Sequence, residues 1–258
     1  MAGSFYPASP EKLAGRVDDL LGTTRDDVAQ PIALVVPHAG YACSGPVAAA
    51  AYRRITRPTA IRSVVILGPA HYADPHGVAF PEATAWSTPL GEVPVERDLC
   101  ARLQRAGLAH GDDRPHESEH AVEVQLPFLQ RILGDGWTCV PLVVHGTAPD
   151  PVSDCIDEVQ ADDVLVVVSS DLSHYYDERS AQRLDRRTAD AVVDRDPSGV
   201  GDEQACGVFP LRGLLTWARR HDQDIELLDL RTSAETCGGP ERVVGYGAFA
   251  VGGSGQRP

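Results

Sequence analysis

The hydrophobic positions of the chain fall into short apolar runs that alternate with amphipathic segments. The runs are rich in valine and isoleucine and almost continuously apolar, which is typical of strands that are covered on both faces. They predict strands over 33–36, 64–67, 140–144, 164–168, 225–230 and 243–251. Apolar residues recur at helical spacing in the intervening segments. These segments predict helices over 9–22, 45–55, 95–107, 119–133, 150–160, 178–195 and 210–221.

The alternation of strands and helices predicts an α/β fold, in which helices cover both faces of a mostly parallel or mixed central sheet. We therefore expect a single-domain α/β/α sandwich. A length of 258 residues is compatible with one such domain, and no internal repeat or linker divides the chain. The domain is predicted to span 1–252. The segment 253–258 is rich in glycine, serine and proline and is predicted to be a flexible tail.

Composition narrows the classes of partner and the compartment. The formal net charge is −14 and the basic residues are scattered, so neither nucleic acid nor an anionic membrane is an expected partner. The first residues lack the pattern of a signal peptide and the longest apolar runs are strand-sized, which predicts a soluble cytoplasmic protein. Six cysteines without a C-x-x-C pair are expected to be mostly reduced. Among them, Cys100, Cys139 and Cys155 are expected in the core.

Polar residues follow three of the predicted strands at the point where each strand ends. His38 follows the first run, His71 follows the second, and Asp171 and His174 follow the run that ends at Val168. Ligands of open α/β sheets collect at the carboxyl ends of strands. We therefore expect these side chains to converge in one cleft.

Two pairs of titratable residues have a spacing of three. One helical turn would place Asp171 and His174 on the same side, and His120 and Glu123 have the same spacing at a predicted helix start. Each pair taken alone is equally compatible with a surface ion pair or a helix cap. Convergence of several such groups at one edge of a sheet is typical of an active site.

Five motifs in a fixed order give a more specific indication. They are Ala2-Gly3-Ser4-Phe5-Tyr6-Pro7, Pro37-His38-Ala39-Gly40-Tyr41, Leu67-Gly68-Pro69-Ala70-His71, Glu119-His120-Ala121-Val122-Glu123-Val124-Gln125-Leu126-Pro127-Phe128 and Ser169-Ser170-Asp171-Leu172-Ser173-His174. Together they resemble the Memo family, whose bacterial and archaeal members are called AmmeMemoRadiSam system protein B. The resemblance covers nearly the whole chain.

The resemblance implies a fold similar to that of class III extradiol ring-cleaving dioxygenases, which hold non-haem iron. Carried over to this sequence, it implies that His38, His71 and Cys206 bind one divalent metal. Iron is the foremost candidate, with copper or zinc as alternatives. A thiolate is softer than the carboxylate of those dioxygenases, which makes copper(I) and zinc more competitive.

The resemblance also implies roles for the remaining cleft residues. His174 takes the acid/base position, and Asp171, His120 and Glu123 are expected to line the same cleft. These assignments favour a non-haem iron oxidoreductase that acts on a small molecule. Three alternatives stay open: an iron- or copper-binding redox protein without turnover, a peptide-binding scaffold, and a hydrolase with zinc-bound water. The family's name further implies association with radical-SAM and AMMECR-like proteins.

Overall fold

The computed structural model describes residues 1–22 and 29–252, so the predicted tail at 253–258 lies outside the described residues. The helices are α1 Pro10–Leu21, α2 Gly45–Tyr52, α3 Arg97–Arg105, α4 Leu126–Leu133, α5 Pro149–Val159, α6 Glu178–Val193, α7 Val208–Arg220 and α8 Ser233–Thr236. The strands are β1 Ala33–Val36, β2 Ser63–Pro69, β3 Gly77–Phe80, β4 Ala85–Thr88, β5 Gly91–Pro94, β6 His110–Gly111, β7 Thr138–His145, β8 Val164–Ser169, β9 His174–Tyr176, β10 Ile225–Thr232 and β11 Val243–Val251.

A nine-stranded mixed sheet forms the centre of the described part of the chain. Its order is β10-β11-β1-β8-β2-β7-β3-β6, and β9 pairs with β11 outside this path. The strands β1, β8, β2 and β7 are parallel to one another, whereas β11 runs antiparallel to both β1 and β10. The parallel arrangement places the carboxyl ends of β1, β8 and β2 side by side.

Helices cover the sheet on both faces, and every residue of β1, β2 and β8 is buried. On one side α1, α2 and α4 pack together, and on the other α5 packs against α7. The amphipathic pattern explains this packing, since α1 buries Leu13, Val17 and Leu21 at a spacing of four. The predicted single-domain α/β fold with a mixed central sheet is confirmed.

The conformation after β8 differs from the prediction. Asp171 and His174 do not share a helical turn, because His174 is the first residue of β9. Backbone hydrogen bonds from Leu172 N to Gly245 O and from Gly245 N to Ser173 O, each 2.8 Å long, hold this segment beside β11. Strand pairing therefore overrides the helical spacing.

The helix predicted over 119–133 also begins later than expected. Residues Glu123–Gln125 form a single 3-10 turn, and α4 starts at Leu126. His120 consequently lies in an irregular segment before the helix. Pro127 at the start of α4 is well suited to the first helical turn, where a backbone N–H has no helical partner.

The cysteines divide into three groups. Cys100, Cys139 and Cys155 are free and buried, as predicted for core residues. Cys43 and Cys237 form a disulfide, so the expectation that most cysteines are reduced holds for the other four. Cys206 is the remaining free thiol. In the described ranges, no helix combines the length and apolarity needed to cross a bilayer.

Candidate metal centre

Three histidines meet at the carboxyl edge of the sheet. His38 follows β1, His71 follows β2, and His120 precedes the 3-10 turn that leads into α4. One ligand atom from each residue lies within 4.8 Å of the other two. The neighbouring, parallel arrangement of β1, β8 and β2 brings the first two together. We call His38, His71 and His120 the histidine cluster.

The three rings pack closely but differ in exposure. The ring centroid of His38 lies 5.3 Å from that of His71 and 5.4 Å from that of His120, and the centroids of His71 and His120 are 4.7 Å apart. His38 is only 2% exposed, whereas the side chain of His71 is 26% exposed. The cluster therefore opens to solvent on the side of His71.

A hydrogen-bond network assigns the tautomer of His38. The Ser169 hydroxyl donates its single proton to the carbonyl oxygen of Ala121 (2.6 Å) and accepts from Nε2 of Gln125 (2.8 Å). Nδ1 of His38 lies 2.9 Å from the same hydroxyl oxygen. Because Ser169 has no second proton to give, Nδ1 of His38 must be the donor. Nε2 of His38 then carries a free lone pair, which is the form that binds a metal.

Glu119 assigns the tautomer of His71 in the same way. Its carboxylate accepts from the backbone N–H of His71 (2.7 Å), and Nδ1 of His71 lies 2.9 Å away. Burial acts to raise the pKa of Glu119, but hydrogen bonds from His71 and Ala121 outweigh it and lower the pKa to about 2. Glu119 is thus an ionised acceptor to which Nδ1 of His71 donates, and the lone pair of the neutral form of this ring lies on Nε2. A carboxylate behind a histidine is a common arrangement around metals.

His120 is held between an aromatic ring and Glu119. The Phe5 ring stacks on its imidazole with centroids 4.4 Å apart, and its backbone N–H donates to Glu119 (2.9 Å). Nδ1 of His120 is buried and lies 3.4 Å from Oε1 of Glu119, without a well-formed hydrogen bond among the residues that the structure describes. Glu119 therefore faces His120 as well as His71, and the metal-ligand grouping includes one ring nitrogen of His120.

Cys206 lies beside the histidine cluster although it is distant in sequence. Its Sγ is 3.1 Å from Nε2 of His38 and accepts the backbone N–H of Asp171 at 3.2 Å. Gly207 permits this approach, because a Cβ at that position would lie 2.7 Å from Cβ of Ser170. Burial first, and then the charge of Asp171, raises the pKa of the Cys206 thiol. A bound cation would have the opposite effect and favour the thiolate.

Burial favours the neutral form of two rings of the cluster, those of His38 and His120. The pKa of His38 is lowered to about 3, mainly because the ring is buried and secondly because of the charge of His71. The pKa of His120 is lowered to about 4 for the same two kinds of reason, burial of the ring first and the charge of His38 second. Neutral imidazoles are the form that binds metals, so His38 and His120 are already in the required protonation state, whereas Cys206 would have to lose its proton to bind as a thiolate.

Asp171 and His174 occupy different positions relative to the cluster. Asp171 is buried and its Oδ1 accepts the backbone N–H of His38 at 2.8 Å, so it fixes the loop after β1. His174 is partly exposed at the start of β9, close enough for its charge to act on both His38 and Asp171. No hydrogen bond joins the two side chains within residues 29–252 of the structure. The catalytic roles predicted for them stay predictions.

Glu123 contacts the N-terminal segment of the chain. Its carboxylate accepts the hydroxyl proton of Tyr6, whose backbone lies in the same N-terminal segment as Phe5. The first motif of the sequence therefore lies over the segment 119–123. The predicted cleft role of Glu123 is untested, but its observed contact positions the N-terminal segment.

The residues that orient the cluster, Ser169, Glu119 and Gln125, were not identified as site residues from the sequence. Each lies within one of the five motifs and within two positions of a residue that was. Their function depends on which atoms donate and accept, and spacing along the chain carries no information on that.

Known proteins that are similar to this chain share one family. The family model described as "Memo-like protein" matches residues 1–250. A MEMO1 family protein of Methanococcoides burtonii is 34% identical, with 97% of this chain and 98% of the relative covered. One from Methanopyrus kandleri is 33% identical over 96% of each chain, and one from Sulfolobus acidocaldarius is 33% identical over 95% of each. The chain belongs to the Memo family.

Proposed function

We propose that the protein binds one divalent metal ion through Nε2 of His38 and Nε2 of His71, and that it is an iron-dependent oxidoreductase acting on a small molecule. The observation that carries the metal proposal is the pair of assigned tautomers. Ser169 and Glu119 each occupy Nδ1 of one histidine, which leaves both Nε2 lone pairs for a shared ion. Iron is the metal implied by the resemblance to extradiol dioxygenases.

The third ligand is either Cys206 or His120. The resemblance favours Cys206, whose Sγ lies 3.1 Å from Nε2 of His38. His120 belongs to the group of ligand atoms within 4.8 Å of one another. With the thiolate, two neutral imidazoles and a divalent ion leave a net charge of +1, as in a site with two histidines and one carboxylate. A softer thiolate ligand raises the affinity for copper(I) and zinc relative to iron.

The surrounding residues have separate tasks in this proposal. A bound iron would supply one-electron and dioxygen chemistry. Asp171 holds the backbone of His38 in place, and Phe5 covers one face of His120. His174 stands at the partly exposed side of the cleft, where an imidazole nitrogen can give or take a proton from a substrate. A small molecule is the substrate class implied by the resemblance to extradiol dioxygenases.

Metal analysis of protein purified without a chelating tag tests the proposal. We expect about one equivalent of metal in the wild type, and iron as the main element. His38→Ala and His71→Ala should lose it, whereas the matched variant His110→Ala should keep it, because His110 is exposed on β6. Equal metal content in all four proteins would contradict the assignment of the ligands.

A non-catalytic iron- or copper-binding redox protein is the second candidate, and the thiol of Cys206 at the cluster favours it. This thiol would be exposed to oxidation beside iron that handles dioxygen, whereas it would stabilise copper(I). His174→Ala separates the two functions. An enzyme should keep its metal and lose about 10²- to 10⁴-fold in rate, measured as oxygen consumption with substrate. Metal uptake and release without any turnover would favour the second candidate.

A further inference from the structure

A groove lined by arginines lies between α6 and the edge strand β10. Its volume is about 780 Å³, within the range of small-molecule sites. Arg179, Arg183, Arg186 and Arg187 line it from α6. They occupy positions i, i+4, i+7 and i+8 and therefore share one face of the helix. The lining includes none of the residues of the histidine cluster, and we call it the arginine groove.

The four α6 guanidinium groups lack the partners that other arginines of this protein have. Arg102, Arg131 and Arg220 each form ion pairs with carboxylates. In the described residues, no ion pair involves the four arginines of α6, and Arg183 donates only to the Ser180 hydroxyl at 3.0 Å. Their positive charge is therefore not paired by a carboxylate within 4.0 Å among residues 1–22 and 29–252.

The remaining lining residues do not cancel this charge. Arg231 of β10 is paired with Asp229 at 2.9 Å. Glu235 accepts the backbone N–H of Thr232 at 2.9 Å. Asp185 is buried, with Oδ1 accepting the backbone N–H of Ser173 at 3.0 Å, and burial raises its pKa. Two carboxylates thus face four unpaired arginines, in a protein whose formal net charge is −14.

The guanidinium groups that line the groove indicate which class of ligand it can bind. A guanidinium group presents a planar set of donors that matches phosphate oxygens in a bidentate manner. Leu230 supplies an apolar surface on the β10 side, and β10 has no strand partner beyond β11 in the described sheet. We propose that the arginine groove binds a small molecule with two or more phosphate groups. This site is separate from the metal centre.

Calorimetric titration with tripolyphosphate and with ATP, at an ionic strength of about 0.15 M, tests this proposal. Both compounds should bind the wild type. Arg183→Gln combined with Arg187→Gln should weaken binding at least about tenfold, because two charge-assisted contacts are removed. Glutamine preserves helix propensity, and an unchanged thermal melt and metal content verify that the fold and the metal centre are intact.

The matched control combines Arg57→Gln with Arg105→Gln, which removes the same charge from exposed positions outside the groove. It should bind both compounds as the wild type does. Equal weakening in the two double variants would overturn the proposal, since it would mean non-specific attraction. The absence of binding by both phosphate compounds would overturn it as well. Binding of an oligoglutamate peptide in place of the phosphates would identify the groove as a contact for acidic protein segments and would also overturn it.

Discussion

Ser169 has one hydroxyl proton, and the acceptor of that proton decides which nitrogen of His38 is available to a metal. The proton goes to the carbonyl of Ala121, so Nδ1 of His38 must donate to Ser169 and Nε2 is free. Glu119 acts in the same way on His71. Such orienting contacts around metal ligands are usually worth a factor of about 10 to 100 in metal affinity.

Ser169→Ala should therefore lower metal affinity about 10- to 100-fold, because it removes the acceptor that holds Nδ1 of His38 protonated. The measurement is a competitive titration against a metal-binding dye. Ser63→Ala is the matched control, since Ser63 is a buried strand serine that contacts Thr138. Equal affinity in Ser169→Ala and the wild type would contradict the role given to Ser169.

His116, which is not a member of the histidine cluster, predicts a pH dependence of stability. Burial lowers its pKa to about 4, and both ring nitrogens are shielded from solvent. An ordinary histidine in the unfolded chain has a pKa near 6.5. Between these values the unfolded state binds more protons, so stability should fall as pH decreases from about 6.5 towards about 4. The contribution is on the order of 1–3 kcal/mol.

Urea unfolding of His116→Gln and the wild type at pH 7 and pH 4.5 measures this dependence. The variant should lose less stability between the two pH values than the wild type does. If both proteins lose the same free energy of unfolding, His116 does not titrate as the structure implies.

At the scale of elements, the carboxyl ends of three neighbouring strands build the site. The sequence predicted the three strands β1, β2 and β8 correctly. A strand that is covered on both faces is a nearly continuous run of apolar residues, which is easy to recognise. The short strands β4 and β5 were not predicted, since most of their residues are partly or fully exposed. The strand β9, which begins at His174, was also missed, because it depends on pairing with the distant β11.

The connection from Cys206 into α7 depends on a close approach to the end of β8. A Cβ at position 207 would lie 2.7 Å from Cβ of Ser170 and 2.8 Å from the carbonyl oxygen of Ser169. Gly207→Ala should therefore displace Cys206, reduce metal affinity and lower the melting temperature. Gly15→Ala is the control, since a Cβ there meets no atom within 4 Å and alanine favours the helix. Similar melting temperatures for both variants would contradict this view of the connection.

At the scale of the whole molecule, the Cys43–Cys237 disulfide joins residues 194 positions apart. It links the loop that follows His38 to the segment before β11. Loss of such a bond typically costs about 2–4 kcal/mol, because the unfolded chain gains freedom. Reduction of the wild type should therefore lower its melting temperature while the metal content is retained. Cys237→Ser should melt at the same temperature as the reduced wild type, whether or not reductant is present. A change in the melting temperature of this variant on adding reductant would contradict the assignment of the Cys43–Cys237 disulfide.

The central claim is that one metal ion is shared by His38 and His71, and anomalous diffraction at the absorption edge of the bound metal tests it most directly. The account predicts a single strong peak within about 2.0–2.4 Å of Nε2 of both residues, with either Sγ of Cys206 or a ring nitrogen of His120 as the next ligand. A crystal that contains stoichiometric metal but shows its peak away from these two nitrogens would contradict the account.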